Sequence, residues 1–342
     1  MRSRYVLLAA AMATLVLFSA VLLVQGPGGR TVTSTSSTST SPPQPAARGY
    51  AKGISFTPTG FDQQGISGYF AKARQAGGLV TWSGDWDALS DPRSAPYVLE
   101  AQARENNLTL LPELQILDSS SGHLLRPLNS SNEANYVTLV ASFARTYTPR
   151  YIALGVEVNL LHDSDPASYQ AFVSFFSTAR AEIKAASPGT AVFTIFQLER
   201  MKGLDGGLFG GVNDTSKAEW GLLADFPSAD LVGFTTYPGL IFHSPSSVPA
   251  GYFEEIAQHT RGPLAFTEVA WQSGSIPGWG NNETTQAGFV KDFFSLTSGL
   301  PKAVVVWAFA YDQAAPAPFD SMGLLNAAGA AKAAWTEWLE DG

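Results

Sequence analysis

The chain has no cysteine, which excludes disulfides, thiolate metal sites, iron–sulfur clusters and a thiol nucleophile. Histidine is scarce as well. The four, His123, His162, His243 and His259, form no HxH or HExxH pair, so the spacings by which hydrolases hold zinc are missing and no metal ligand is assigned. Twenty-one Lys and Arg stand against 29 Asp and Glu, a net charge of −8. Such a surface repels polyanions, so nucleic acid is not an expected partner. Charged residues make up only 15% of the 342, while hydrophobic residues make up 45%. That balance excludes an intrinsically disordered chain and supplies apolar material for a large core.

What is present begins with an apolar run, residues 5–24, that carries no charge and follows Arg2 and Arg4. It is long enough for a helix that crosses a bilayer core of about 30 Å, and the arginines hold its start on the cytoplasmic side. The reading is an uncleaved signal anchor over residues 1–25, with the chain displayed outside the cell. A cleavable signal peptide, which would make the protein secreted, is the rival. Residues 26–49 are rich in Ser, Thr, Pro and Gly, the composition of a linker and not of a fold. Four Asn-x-Ser/Thr sequons, at Asn107, Asn129, Asn213 and Asn282, are weakly consistent with an extracellular domain over residues 50–342.

Within that domain, short apolar runs alternate with segments of helical period. Strands are expected over 53–57, 79–82, 108–114, 151–156, 191–196, 231–236, 264–269 and 303–309; they are non-alternating, as strands covered on both faces are. The clearest helix follows the fourth strand, where Asp165-Pro166 offers a cap and first turn before Tyr169, Phe172, Val173, Phe176 and Ala179. Eight such units in this length predict an α/β fold, a (β/α)8 TIM barrel, with a doubly wound open sheet as the alternative.

In a barrel, chemistry sits where the strands end at their C-terminal face. The fourth strand runs into Glu157 and the seventh into Glu268, each after a stretch of apolar residues where an unpaired carboxylate is costly. Pairing with an Arg or Lys at the mouth would explain either glutamate alone. Two carboxylates over one opening are what glycoside hydrolysis requires, one as acid and the other as nucleophile or base.

The residues around both glutamates resemble the motifs of the clan A glycoside hydrolases, a likeness that spans the domain from Lys52 onward. Gly155-Val156-Glu157-Val158-Asn159 resembles the clan's Gly-Asn-Glu, and Phe266-Thr267-Glu268-Val269-Ala270-Trp271 its Thr-Glu-x-Gly-Trp. Thr235-Thr236-Tyr237-Pro238 resembles Ser-x-Tyr-Pro. The resemblance implies a retaining enzyme with Glu157 as acid/base, Glu268 as nucleophile, Tyr237 touching Glu268, and Trp307 as an aromatic floor under the sugar. It implies no cofactor. Val156 departs from the pattern, since the clan usually has Asn there. Among subfamilies, the brevity and the long loop after the sixth strand are most similar to endo-β-1,4-galactanases and β-mannanases.

Other residues at strand ends extend the candidate site. Trp82, Trp86, Trp271 and Trp279 fall in positions from which indoles stack on sugar faces. Glu113 is a candidate substrate contact and a rival acid to Glu157, and Asn159 is a further candidate contact. Gln115, Gln197, Glu199 and Asp312 also stand at strand ends, Asp85 and Asp87 flank Trp86, and His243 follows Tyr237. The expected partner is a β-linked polysaccharide or oligosaccharide, with the membrane reached through the N-terminal helix. A non-catalytic carbohydrate-binding or solute-binding surface protein is the alternative. If the pair is that of a retaining enzyme, the two carboxyl groups stand about 5–5.5 Å apart across the mouth.

Overall fold

The computed structural model describes residues 49–341. The expected anchor, and the linker up to residue 48, lie outside the described residues. Eight parallel strands form: β1 (Ala51–Ser55), β2 (Leu79–Asp85), β3 (Thr109–Gln115), β4 (Tyr151–Leu154), β5 in two pieces (Ala191–Phe193 and Ile195–Gln197), β6 (Val232–Thr236), β7 (Leu264–Val269) and β8 (Lys302–Trp307). β1 pairs with both β2 and β8. The first piece of β5 pairs with β4 and the second with β6, so the sheet closes on itself at Thr194. This is the eight-stranded barrel the alternation predicts, and its closure removes the open doubly wound sheet. A two-lobed solute-binding architecture is removed with it.

The strands alternate between two buried layers. Leu79, Leu111, Ala153, Phe193, Leu231, Ala265, Val304 and Val306 fill the barrel interior. Their neighbours Val80, Leu110, Ile152, Val192, Phe234, Phe266 and Val305 pack outward against the helices. At Gly53 the β1 backbone comes so close to β2 that an added Cβ would lie 1.8 Å from the Leu79 carbonyl oxygen, so only glycine closes the sheet there.

Helices cover most of the outside: α1 (Gln63–Ala76), α2 (Ala95–Glu105), α3 (Ser130–Tyr147), α4 (Val158–Ser164), α5 (Pro166–Ala186), α6 (Leu198–Met201), α7 (Ile256–His259), α8 (Glu283–Leu296) and α9 (Ala333–Asp341). α5 starts as its sequence predicts, with the Asp165 side chain accepting from Ser168 N at 3.1 Å. Such a cap contributes about 1 kcal/mol. It buries Tyr169, Phe172, Phe175, Phe176, Ala179 and Ile183, each large side chain contributing about 1.5–3 kcal/mol. Among the described residues, no helix is long and apolar enough to cross a membrane.

The expected alternation breaks on one side. After β5 there is only the one-turn α6 followed by 3-10 turns, and after β6 only 3-10 turns and the short α7. The cause is composition: Gly203, Gly206, Gly207, Gly210 and Gly211 interrupt the first stretch, and Pro238, Pro245, Pro249 and a run of serines interrupt the second. Phe226, from the first of these stretches, covers part of what the missing helix leaves, meeting Phe176 and Phe196 at ring distances of 5.1 and 5.8 Å. A small hairpin, Leu117–Asp118 with His123–Leu124, rises from the end of β3.

Candidate active site

Glu157 is delivered by a tight turn. β4 ends at Leu154, and Gly155 takes φ 79°, where a Cβ would lie 2.6 Å from Val158 Cγ1 and 2.8 Å from Phe172 Cζ. Glu157 itself sits in the left-handed region at φ 55°, ψ 43°, a conformation that costs a non-glycine residue about 1–3 kcal/mol and concentrates at functional sites. The turn sends the chain into α4 and buries the carboxyl group, whose Oε1 accepts from Thr235 Oγ1 at 2.7 Å.

Glu268 is delivered by a bulge. Phe266 stands opposite Phe234, but Glu268 and not Thr267 stands opposite Thr235; the same extra residue shows against β8. In an unbroken strand, residue 268 would share the outward parity of Phe266. With Thr267 inserted, Glu268 points into the barrel, the re-aiming that bulges beside active sites perform. Its Oε2 accepts from the Tyr237 hydroxyl. Thr235, the register partner of Glu268, is also the residue that donates to Glu157, so the two glutamates are tied to adjacent groups of one mouth.

Their environments raise both acids. Burial pushes Glu157 up, against the hydroxyls of Thr235 and Ser119, which favour its ionised form. Burial and the charge of Glu157 push Glu268 up to about 7, opposed by the Tyr237 hydroxyl. Glu113, on the inner face of β3, is fully buried and raised well above the carboxylate range, first by burial and then by the charge of Glu268. Tyr237 is raised well above an ordinary phenol by burial and by Glu268, so it remains a neutral donor.

Behind these groups runs a hydrogen-bonded frame. Glu199 Oε1 accepts from Thr236 Oγ1 at 2.7 Å, Tyr237 N at 3.0 Å and Tyr252 OH at 2.8 Å, and Oε2 accepts from Gln197 Nε2 at 2.7 Å. Asn159 holds the Gln197 backbone from both sides, its Nδ2 donating to the carbonyl at 3.1 Å and its Oδ1 accepting from N at 2.9 Å. The candidate contacts Asn159, Gln197 and Glu199 are therefore struts: they fix the turn after Glu157 relative to Tyr237.

A parallel eight-stranded barrel of this kind has solved counterparts. A GH5_18 protein from Streptomyces cattleya, solved with Manb1-4GlcNAc, is 16% identical over 84% of this chain and 79% of its own, with a TM-score of 0.63. The fold is that of the clan A glycoside hydrolases. The Ignisphaera aggregans GH53 catalytic domain is 13% identical over 87% of this chain and 98% of its own, TM-score 0.58. A family 39 glycoside hydrolase from Bacteroides cellulosilyticus WH2 is 14% identical over 84% and 62%, TM-score 0.58. No protein-family model matches the sequence, and no curated protein matches it.

In this barrel the tryptophans are not where the sequence places them. Trp307 has the parity of Val305, faces outward between Phe289 and Trp338, and donates from Nε1 to the Met322 carbonyl at 2.8 Å; it is fully buried and forms no floor. Trp271 is likewise buried, its ring 4.8 Å from Phe289 and its Nε1 donating to Asn281 at 3.1 Å. Trp86 is buried against Tyr136. Trp82 is half-buried and packs with the outer layer, and Trp279 is covered by His243 at 4.2 Å. Asp85 and Asp87 pair with Arg126 at 2.6 and 3.3 Å, and Asp312 pairs with Lys332 at 2.7 Å. Gln115 donates to Ser83 at 3.0 Å.

A cavity of about 250 Å³ opens beside Glu157 and Tyr237. Its walls come from the hairpin turn 119–122, from α4, and from the irregular stretches after β5 and β6, including Arg200, Phe209 and Leu240. Sequence reasoning passes over Ser119, Arg200, Phe209 and the role of Thr235. Thr235 is legible as the residue two before Tyr237 on the same face, and Ser119-Ser120-Ser121-Gly122 as a loop at a strand end. His162, Asp163 and Glu219 bring ligand-type atoms within 4.8 Å of one another, but His162 Nδ1 already meets Glu219 at 3.0 Å and the Arg200 guanidinium lies 3.6 Å from Asp163.

Proposed function

We propose that this chain is a retaining glycoside hydrolase acting on a β-linked oligosaccharide or polysaccharide, with Glu268 as nucleophile and Glu157 as acid/base. The observation that carries the reading is the convergence of the buried Glu157 and the half-buried Glu268, whose charges act on each other, the second turned inward by a bulge and held by Tyr237. Glu268 attacks the anomeric carbon while Glu157 gives its proton to the departing glycosidic oxygen. A covalent glycosyl-enzyme forms. Glu157, now ionised, takes a proton from water, the water oxygen attacks the same carbon, and Glu268 leaves.

The protonation states this requires are internally consistent. Once Glu157 carries its proton, the charge that raises Glu268 is gone, and the Tyr237 hydroxyl favours a Glu268 carboxylate. Burial keeps the proton on Glu157. A β-linked substrate is supported by the disaccharide bound to the Streptomyces cattleya protein. The covering of the loop indoles favours short oligosaccharides over long polymers. The N-terminal apolar run and Ser/Thr linker support display on the cell membrane with the barrel outside.

The test is chemical rescue. Glu268→Ala should lose turnover and regain cleavage with azide, giving a glycosyl azide of inverted configuration; Glu157→Ala should be rescued with retention. Full activity in both variants, or no hydrolysis of any β-glycoside by the wild type, overturns the reading and leaves a carbohydrate-binding barrel.

A further inference from the structure

We propose that Glu113 is a positioning residue that works as a neutral carboxylic acid, taking the place of a cation near the nucleophile so that Glu268 carries the mouth's single negative charge. This rests on the roles proposed for Glu157 and Glu268. Glu113 lies on the inner face of β3, in register with Ser83 of β2 and Ala153 of β4. It has no solvent exposure, and neither carboxyl oxygen makes a full hydrogen bond among the described residues; the one donor beside it is the Ser83 hydroxyl, which itself accepts from Gln115 Nε2 at 3.0 Å. A carboxylate so placed would cost several kcal/mol, far more than the neutral acid.

The hydrogen-bond donors divide the three carboxyls. Glu157 has Thr235, and Glu268 has Tyr237. Glu113 has only the Ser83 hydroxyl, which its burial outweighs, so the proton stays where ionisation is least supported. The titratable groups that act on it are Glu157, Glu268 and Tyr237. β5 contributes Gln197 to this face. Of the lysines of β1 and β8, Lys52 donates to the Trp338 carbonyl and Lys302 to the Thr297 carbonyl. No Lys or Arg is among the groups that shift Glu268. The Arg200 guanidinium acts on Glu157; on the β3 side a protonated acid keeps the local charge low.

The test pairs a direct readout with kinetics on the full-length chain. Infrared difference spectra of wild type against Glu113→Gln should contain a protonated carboxyl band from acid pH through pH 7. For kcat/KM on an aryl β-glycoside, Glu113→Gln should cost about three- to tenfold and leave both limbs in place, since one neutral group replaces another; Glu113→Ala should cost more, about 100-fold. An ionised carboxylate band at pH 6 overturns the assignment whether or not the protein hydrolyses anything. So does an acid limb displaced downward in Glu113→Gln, because that variant would then have removed a negative charge. A protonated band with no hydrolysis of any glycoside instead overturns the hydrolase reading, and the positioning role with it.

Discussion

The two sides of the barrel are built differently. Around β1 to β4 and again at β7 and β8, each strand is backed by a helix with a continuous apolar face, such as α5 with Phe172 and Phe176 or α8 with Phe289 and Phe293. Beside β5 and β6, short turns broken by glycine and proline replace the helices, and that is the side on which the cavity opens next to Glu157. The regular side concentrates stabilising burial. The irregular side gives up helix packing and supplies cavity walls, as loops on a rigid scaffold do.

Substitutions separate these roles, and the largest effect belongs to the mouth. Glu268→Ala should lower kcat by more than the roughly 10²–10⁴-fold ascribed to a general acid or base, measured by steady-state turnover with the thermal melt unchanged or raised. Phe176→Ala, on the regular side, should instead cost about 3–5 kcal/mol, read from denaturant unfolding, with kcat intact in the folded fraction. An outcome in which both substitutions act alike would erase the distinction.

Next in size is a pH effect on stability. Burial and the Glu157 charge push Glu268 up to about 7, above the ordinary value of about 4.3, so between those values the native Glu157–Glu268 pair holds a proton that the unfolded chain has lost. Stability should fall as pH rises through that window and level off above it. Glu268→Gln should flatten the slope and gain a few kcal/mol at pH 8, by urea titration at several pH values. Tyr237→Phe removes the hydroxyl that lowers Glu268; the acid limb of kcat/KM should move to higher pH, with a loss of about tenfold at neutral pH. Smallest is Phe209→Ala, on the cavity wall. It should raise KM for an oligosaccharide by a few-fold, roughly 1 kcal/mol, while an aryl glycoside is unaffected.

The strands were legible because each is a short apolar run ending in a polar or aromatic residue. The glutamates were legible because nothing in such a run excuses a carboxylate. Direction was not legible. β8 reads Lys-Ala-Val-Val-Val-Trp, so period two leaves no trace and Trp307 could be placed on either face; pairing puts it outward. The bulge at Thr267 has no glycine or proline to announce it, so the inward turn of Glu268 follows from register alone. The glycine cluster after residue 202 is the sequence signal against a long helix after β5.

One further consequence follows from the way β5 is divided. Its first piece serves β4 and its second serves β6, so Thr194 is a seam in an otherwise continuous hoop. The elements on its two flanks carry Glu157 on one side and Thr235 and Tyr237 on the other. Thr194 bonds to both flanks, its Oγ1 donating to the Gly155 carbonyl at 3.4 Å and its carbonyl accepting from Gly233 N at 3.1 Å, so any give at this joint acts on the spacing of Glu157 and Glu268 and not on the helices opposite. Amide hydrogen exchange across residues 191–197 would measure that compliance as an opening free energy lower than that of β1 or β8.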